Sequence, residues 1–271
     1  RYGKDWKSVK IATATKMAKK NETALTELEA AFEADSGMGL EDVSTDDLQI
    51  PFLRMIQALS PQLKKSDPAF IEGASQGDIF NTVTNKVWQA EKGVQVVPVH
   101  FIQKILEFVP RSAGGGFVGE LSPTSADVQQ AVRDKDSSIE LLPNGNELVR
   151  TAQHYVKIIH EDGSLESAIV DMKKTQLKIS RKWNSLIAMQ KHNGKTMPSF
   201  ANTYHLKTIE DGNDKGSWFT WSIKKVGVIP TKIAYDECKE LHTNIRDGLV
   251  QLAPPPSDMM VEDQSSEDVP F

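Results

Sequence analysis

The chain has a single cysteine, Cys238, and no long apolar run. One cysteine excludes an internal disulfide and any zinc site built from several thiolates, which fits a reducing compartment. No apolar stretch reaches the ~20 residues that a membrane-spanning helix needs, and the polar first residues lack the apolar segment of a signal peptide. Since the sequence does not begin with Met, we expect a trimmed or incomplete start. We therefore expect a cytoplasmic protein without a membrane partner.

Residue patterns typical of catalysis are also missing. The six histidines show no metal-ligand spacing. Cys238 and His242 lie four residues apart, where a buried helix cysteine is a commoner explanation than a nucleophile pair. The glycine-rich stretch 112–119 is not followed by the Lys-Ser or Lys-Thr of a phosphate loop. We expect no cofactor, no metal and no enzymatic activity.

Charge is segregated along the chain, although the net charge is only −5. The first twenty residues hold seven bases and one acid, and residues 21–50 hold nine acids and no base. Residues 253–271 add five acids, which leaves residues 51–252 with a net charge of +3. Blocks of like charge are typical of interaction arms. We predict a charged arm and linker at 1–48, a folded domain at 49–252 and a disordered acidic tail at 253–271.

One interval of the predicted domain has no acid, from Asp171 to Glu210. Apolar residues at helical spacing predict a helix over 175–192 that ends at Asn193-Gly194. Its other face carries cations that suit a phosphate backbone, although a solvated helix face is the alternative. The cations of the interval are Lys173, Lys174, Lys178, Arg181, Lys182, Lys191, Lys195 and Lys207.

Aromatic residues and cations also alternate on two predicted strands. In the segment 218–225, Phe219, Trp221 and Ile223 share one strand face and are expected in the core. Trp218 and Lys224 share the other face, so Trp218 is the preferred residue for stacking on a base, unless it covers a barrel end. Lys104 and Phe108 of the strand near 94–109, with Arg111 just beyond it, extend the predicted groove. Core packing is the stronger alternative for this strand, because Phe108 has aliphatic neighbours.

The order of predicted elements favours a mainly β domain of the α+β kind. We expect a turn of helix at 54–59. Long β-rich runs occur at 94–109, 152–159, 165–172, 204–209 and 218–229, and Pro98 favours an edge or a bulge in the first half of 94–109. The segment 161–164 is a hairpin signal, and 210–216 is another turn-rich loop between two runs. No regular βαβ alternation is present, which argues against a parallel sheet. An OB-fold-like antiparallel barrel, with an inserted basic helix and a C-terminal helix near 231–250, fits this order.

The last five residues carry the most specific signal. They are Glu267, Asp268, Val269, Pro270 and Phe271, at the end of a proline-led acidic segment. This ending resembles the acidic tail of bacterial single-stranded DNA-binding proteins, which finishes Asp-Asp-Ile-Pro-Phe. The loose pattern of 50–52, the glycine-rich stretch and 175–184 also resembles phage proteins of that type. The resemblance implies a tail that binds replication and repair proteins through Phe271 and its acids.

Together these features predict a phage-type protein that binds single-stranded DNA without sequence preference. It would act in DNA replication, recombination or repair, and its tail would recruit a polymerase, helicase, primase or nuclease. A single-strand annealing protein is the first alternative. A metal-dependent nuclease and a virion or scaffold protein are further alternatives. An ordinary acidic terminus that happens to end in Phe is the alternative for the tail.

Overall fold

The computed structural model describes residues 26–28, 30–42, 50–134, 139–213 and 216–250. The chain divides into two units, residues 1–48 and residues 49–271. In the first unit, residues 26–28 and 30–34 are helical and exposed. Among the described residues, no helix is both long enough and apolar enough to cross a membrane.

The described part of the second unit is mainly β, with three α-helices. The strands are β1 (Leu53–Met55), β2 (Ile79–Asn81), β3 (Val87–Trp88), β4 (Val94–Phe108), β5 (Phe117–Leu121), β6 (Val132–Arg133), β7 (Glu140–Leu141), β8 (Glu147–Ile159), β9 (Leu165–Lys173), β10 (Lys191–His192), β11 (Lys195–Thr196), β12 (Asn202–Asn213) and β13 (Gly216–Val228). The helices are α1 (Ala126–Gln129), α2 (Leu177–Ala188) and α3 (Lys232–Arg246).

The main sheet is antiparallel and curled. Its order is β13-β12-β4-β8-β7-β6, with β5 added to β4 and β9 added to β8. Strands β9 and β13 lie on opposite sides of the β4–β8 pair, yet both reach the segment around β1. The Ile169 N–H of β9 donates to the Pro51 carbonyl at 2.9 Å, and Phe219 of β13 is hydrogen-bonded to Gln57. Because the segment around β1 contacts both β9 and β13, the sheet must curve around its core.

Both predicted long hairpins are confirmed, and turn chemistry explains the first of them. Between β8 and β9, Gly163 adopts φ +85°, and the Asp162 carboxylate accepts a hydrogen bond from the Ser164 N–H at 2.9 Å. Such local side-chain bonds and a positive φ at glycine are typical of tight turns. Between β12 and β13 the pairing runs without a break from Asn213↔Gly216 back to Tyr204↔Lys225. The expected irregularity at Pro98 is a register shift between Pro98 and His100.

The largest buried cluster lies beneath α2. Trp183 of α2 is fully buried, and its ring stacks on His154 of β8 at 4.5 Å between centroids. Tyr204 of β12 meets the same indole edge-on at 5.8 Å. Burial lowers the pKa of His154 to about 3, so this imidazole is neutral and contacts the Ser180 hydroxyl at 2.8 Å. The predicted apolar face of α2 therefore anchors the helix on the sheet.

Some element boundaries differ from the prediction. Helix α2 ends at Ala188, and Asn193-Gly194 is the two-residue turn of the β10–β11 hairpin instead of a helix stop. Both residues have positive φ, +50° and +77°, which is the geometry that Asn-Gly favours in hairpins. A helical turn was expected at 54–59, but Arg54 and Met55 belong to β1. In chain order, α2 lies between the third and fourth of the five long strands.

Candidate nucleic-acid interface

The outward face of α2 presents three cations. Since Ser180 and Trp183 point into the core, helical spacing turns Lys178, Arg181 and Lys182 to solvent, and all three are exposed. Lys178 lies 4.0 Å from the Asp211 carboxylate of β12, and both side chains are well exposed at 69% and 40%. An exposed ion pair at this distance contributes little, so the cation stays available to a ligand.

Further cations flank α2 on both sides. Lys173 ends β9 and is half-buried, while Lys174 is exposed and adopts φ +46° in the 3-10 turn that leads into the helix. Beyond the helix, Lys191 and Lys195 are exposed on the β10–β11 hairpin. We define the basic surface by these seven residues: Lys173, Lys174, Lys178, Arg181, Lys182, Lys191 and Lys195.

Strand β13 divides its side chains between the core and the surface only in part as predicted, because Thr220 of the expected outer face is buried. Phe219, Trp221 and Ile223 pack against the main buried cluster, whereas Lys224 is exposed opposite His205 of β12. The neighbouring Lys225 donates a hydrogen bond to Gln190, which directly precedes β10. This bond connects the exposed end of β13 to the hairpin of the basic surface.

Trp218 is half-buried, in contrast to the exposed position that the sequence suggested. Its ring lines a pocket of about 60 Å³ between β1, β9 and β13. The indole Nε1 is buried and has no hydrogen-bond partner in the part of the chain that the structure describes. We call this cavity the seam pocket. Its lining residues are Leu53, Arg54, Met55, Gln57, Asp171, Lys173, Thr175, Gln176, Trp218, Phe219 and Trp221.

Two residues that the sequence assigned to the groove are buried instead. The Lys104 side chain is only 7% exposed, and its Nζ pairs with the Glu120 carboxylate of β5 at 2.7 Å. The Phe108 ring is buried against Phe117 at 5.5 Å between centroids. The reason is that Phe108 belongs to a buried cluster with Phe52 and Tyr155, while Lys104 is held by its carboxylate partner on the neighbouring strand β5. The side chain of Arg111 lies outside the described structure.

Several other predicted features also fall outside the described residues. They include the tail residues Glu267, Asp268, Val269, Pro270 and Phe271 and the whole proposed tail at 253–271. The whole basic arm at 1–20 and residues 43–48 of the linker also lie outside the described residues. The predicted roles of these segments stay predictions.

The described residues also show the surroundings of the possible metal ligands and of Cys238 and His242. No group of three or more His, Cys, Asp or Glu side chains that could hold a metal occurs among them. Cys238 of α3 is buried beside Val97, Val99 and Phe200, and burial raises the pKa of its thiol to about 12. A thiol in this state is a poor nucleophile. His242 instead contacts His100, with 3.2 Å between their Nδ1 atoms.

The polar lining of the seam pocket was not identified from the sequence. Arg54 and Gln57 come from one part of the chain, and Asp171 and Gln176 come from another. The available signal was a polar pair, Arg54 and Gln57, within an otherwise apolar segment. A polar pair of this kind indicates polar side chains inside a pocket only when the segment is known to form a strand.

Comparison with known families places the chain among phage proteins. The second unit is a mainly β domain with a curled antiparallel sheet and a helix whose outward face is basic. The family model described as Pam3 phage gp34-like protein matches residues 19–251, and the chain belongs to this family. No curated protein and no solved structure matches the chain.

Proposed function

We propose that this phage-family protein binds single-stranded DNA without overall sequence preference. The observation that carries the proposal is the basic surface, where seven cations on consecutive elements occur with no acid between residues 172 and 209. Each phosphate that a cation neutralises releases counterions, so such a surface favours a nucleic-acid backbone. The curled sheet supports this proposal, because OB-like barrels bind single-stranded nucleic acid on a curved sheet face.

The fold is, on this proposal, an OB-like barrel that carries α2 as an inserted basic helix. The protein would act by binding rather than by catalysis, without a cofactor, in the host cytoplasm during phage DNA replication, recombination or repair. Residues 267–271 would recruit replication or recombination proteins, as their resemblance to bacterial tails suggests. Lys224 and the basic surface would hold the strand, while Lys104 and Phe108 take no part because they are buried.

The direct test measures binding of a fluorescent oligo-dT at several salt concentrations. A triple variant, Lys178→Gln, Arg181→Gln and Lys182→Gln, should bind more weakly. The slope of log affinity against log salt should become less steep by about 2, since single strands contribute about 0.7 per phosphate contact. Urea unfolding of both proteins checks that the fold is retained.

The control has the same charge change on other exposed positions: Lys64→Gln, Lys65→Gln and Lys239→Gln. Its affinity and salt slope should stay close to those of the wild type. Equal effects of the two triple variants would show that only net charge matters, and would contradict a specific basic surface. Absence of salt-dependent oligo-dT binding by the wild type would overturn the proposed function.

A further inference from the structure

Within the described part of the second unit, Phe101 of β4 is the one aromatic residue that is exposed, at 41%. The pairing of β4 explains this exposure. Strand β12 pairs with β4 at 94–96 and β5 pairs with it at 105–108, both on the edge opposite β8. Among the described strands, none pairs with residues 97–104 on that edge, so Phe101 lies in a gap of the sheet.

The register of β4 and β8 shows which side chains surround Phe101. It is paired directly with His154, and the next pair on the same sheet face is Gln103 with Ala152. Burial lowers the pKa of His154 to about 3, so none of these four side chains carries a charge. Gln103 is exposed and offers both a donor and an acceptor. This uncharged surface suits a base better than it suits a phosphate.

Buried rings support Phe101 from below. The His154 ring lies 5.0 Å from the Phe101 ring between centroids and 4.5 Å from the ring of Trp183. Trp183 in turn packs against Tyr204. A single exposed Phe is common on protein surfaces. Phe101 differs because fixed buried rings hold it, and a ring that is already ordered loses little entropy when a ligand stacks on it.

Phe101 also lies beside the helix of the basic surface. One side chain, His154, contacts both Phe101 and α2, where it meets the Ser180 hydroxyl at 2.8 Å. Arg181 and Lys182 directly follow Ser180 in α2. A strand whose phosphates contact these cations therefore has bases within reach of Phe101. An accessible aromatic ring beside cations is the combination that binds single strands without sequence preference.

We propose that Phe101 stacks on a base of the bound strand and thereby gives the basic surface its preference for single-stranded over duplex DNA. Every base has a π-face, so this contact accepts any sequence. The bases of a duplex are stacked on each other and do not reach such a ring without unpairing. The proposal rests on the proposed function, in which the cations hold the phosphates, and it adds the residue that contacts the bases.

The test measures the affinity of Phe101→Leu for oligo-dT and for a dA·dT duplex of the same length. Leu keeps an apolar side chain over His154 but removes the aromatic ring. Oligo-dT affinity should fall about fivefold to tenfold, the range of one lost base stack. Duplex affinity should stay unchanged, and so should the salt slope for oligo-dT, because no phosphate contact is lost. Phe101→Tyr keeps a ring and should bind oligo-dT within about twofold of the wild type.

Inorganic polyphosphate separates stacking from an indirect effect on α2, because it has phosphates and no bases. Its affinity should be the same for the wild type and Phe101→Leu. A loss as large as the loss for oligo-dT would overturn the proposal, since the ring would then act by positioning the cations. Urea unfolding of each variant checks that the fold is retained.

The matched control is Phe32→Leu, which changes an exposed Phe in the acidic first unit and should leave oligo-dT affinity unchanged. Wild-type binding of oligo-dT that Phe101→Leu retains in full would overturn the stacking proposal and leave the proposed function standing. That result is also the one expected if Phe101 contacts a protein partner instead of DNA. Absence of oligo-dT binding by the wild type would overturn both proposals.

Discussion

Lys104 and Lys178 are both lysines of the folded unit that lie near a carboxylate, and their surroundings give them opposite roles. Lys104 is enclosed by β5 and β8 and pairs with Glu120 at 2.7 Å. Lys178 is 69% exposed and lies 4.0 Å from Asp211. The first charge is held by its partner because a buried charge without one is costly. The second charge is accessible, and this difference separates a structural lysine from a candidate DNA contact.

The largest expected change in stability comes from comparing an enclosed and an accessible side chain on the two faces of α2. Trp183→Ala removes a fully buried ring between His154 and Tyr204, so the free energy of unfolding should fall by about 3–5 kcal/mol. Its exposed neighbour is the control, since Lys182→Ala should change stability by less than about 0.5 kcal/mol. Urea unfolding measures both. A small loss for Trp183→Ala would contradict the packing of α2 on the sheet.

The two lysine–carboxylate pairs provide the second test. Glu120→Gln leaves the buried Lys104 ammonium with a neutral partner, and we expect a loss of about 1–2 kcal/mol, moderated because water reaches half of the Glu120 side chain. Asp211→Asn removes the exposed partner of Lys178 and should cost less than about 0.5 kcal/mol. Chemical denaturation of both variants makes the comparison. Similar losses would mean that Lys104 is no more enclosed than Lys178.

The acidic tail provides the smallest expected effect. Its acids should compete with DNA for accessible cations such as Lys178 but not for Lys104. Deletion of residues 258–271 should therefore raise oligo-dT affinity about threefold at low salt, with the gain disappearing at high salt. Phe271→Ala keeps every acid and serves as the control, with unchanged affinity. Lower affinity after the deletion would show that the tail contributes to binding instead of competing.

Local sequence signals predicted the parts of the fold that depend on neighbouring residues. Gly163 with Asp162 marked the β8–β9 turn, Pro98 marked an irregular strand, and the apolar spacing around Trp183 marked the inner face of α2. Each of these features follows from backbone preference or from the period of a helix. The exposed cations of α2 followed from the same helical period.

The features that the sequence did not predict depend on contacts between residues that are far apart in the chain. Lys104 looked like a surface cation, because nothing near it in the chain shows that β5 returns to cover it. Arg54 lies in a strand whose three residues are all buried, so no alternation marked it as β. The seam pocket joins residues more than 160 positions apart, such as Gln57 and Phe219, and only the folded sheet brings them together.

The contact between Gln57 and Phe219 also has a mechanical consequence. It joins β13 to the segment after β1 by one amide side chain, whereas β8 is joined to β4 by a ladder from Val96↔Ile158 to Phe108↔Glu147. Parting the first joint breaks two hydrogen bonds, and parting the second breaks a whole ladder. A local opening at Gln57 would release β13 from this segment by breaking few bonds, while Leu53, Met55 and Ile79 keep the β1–β3 sheet in the main buried cluster.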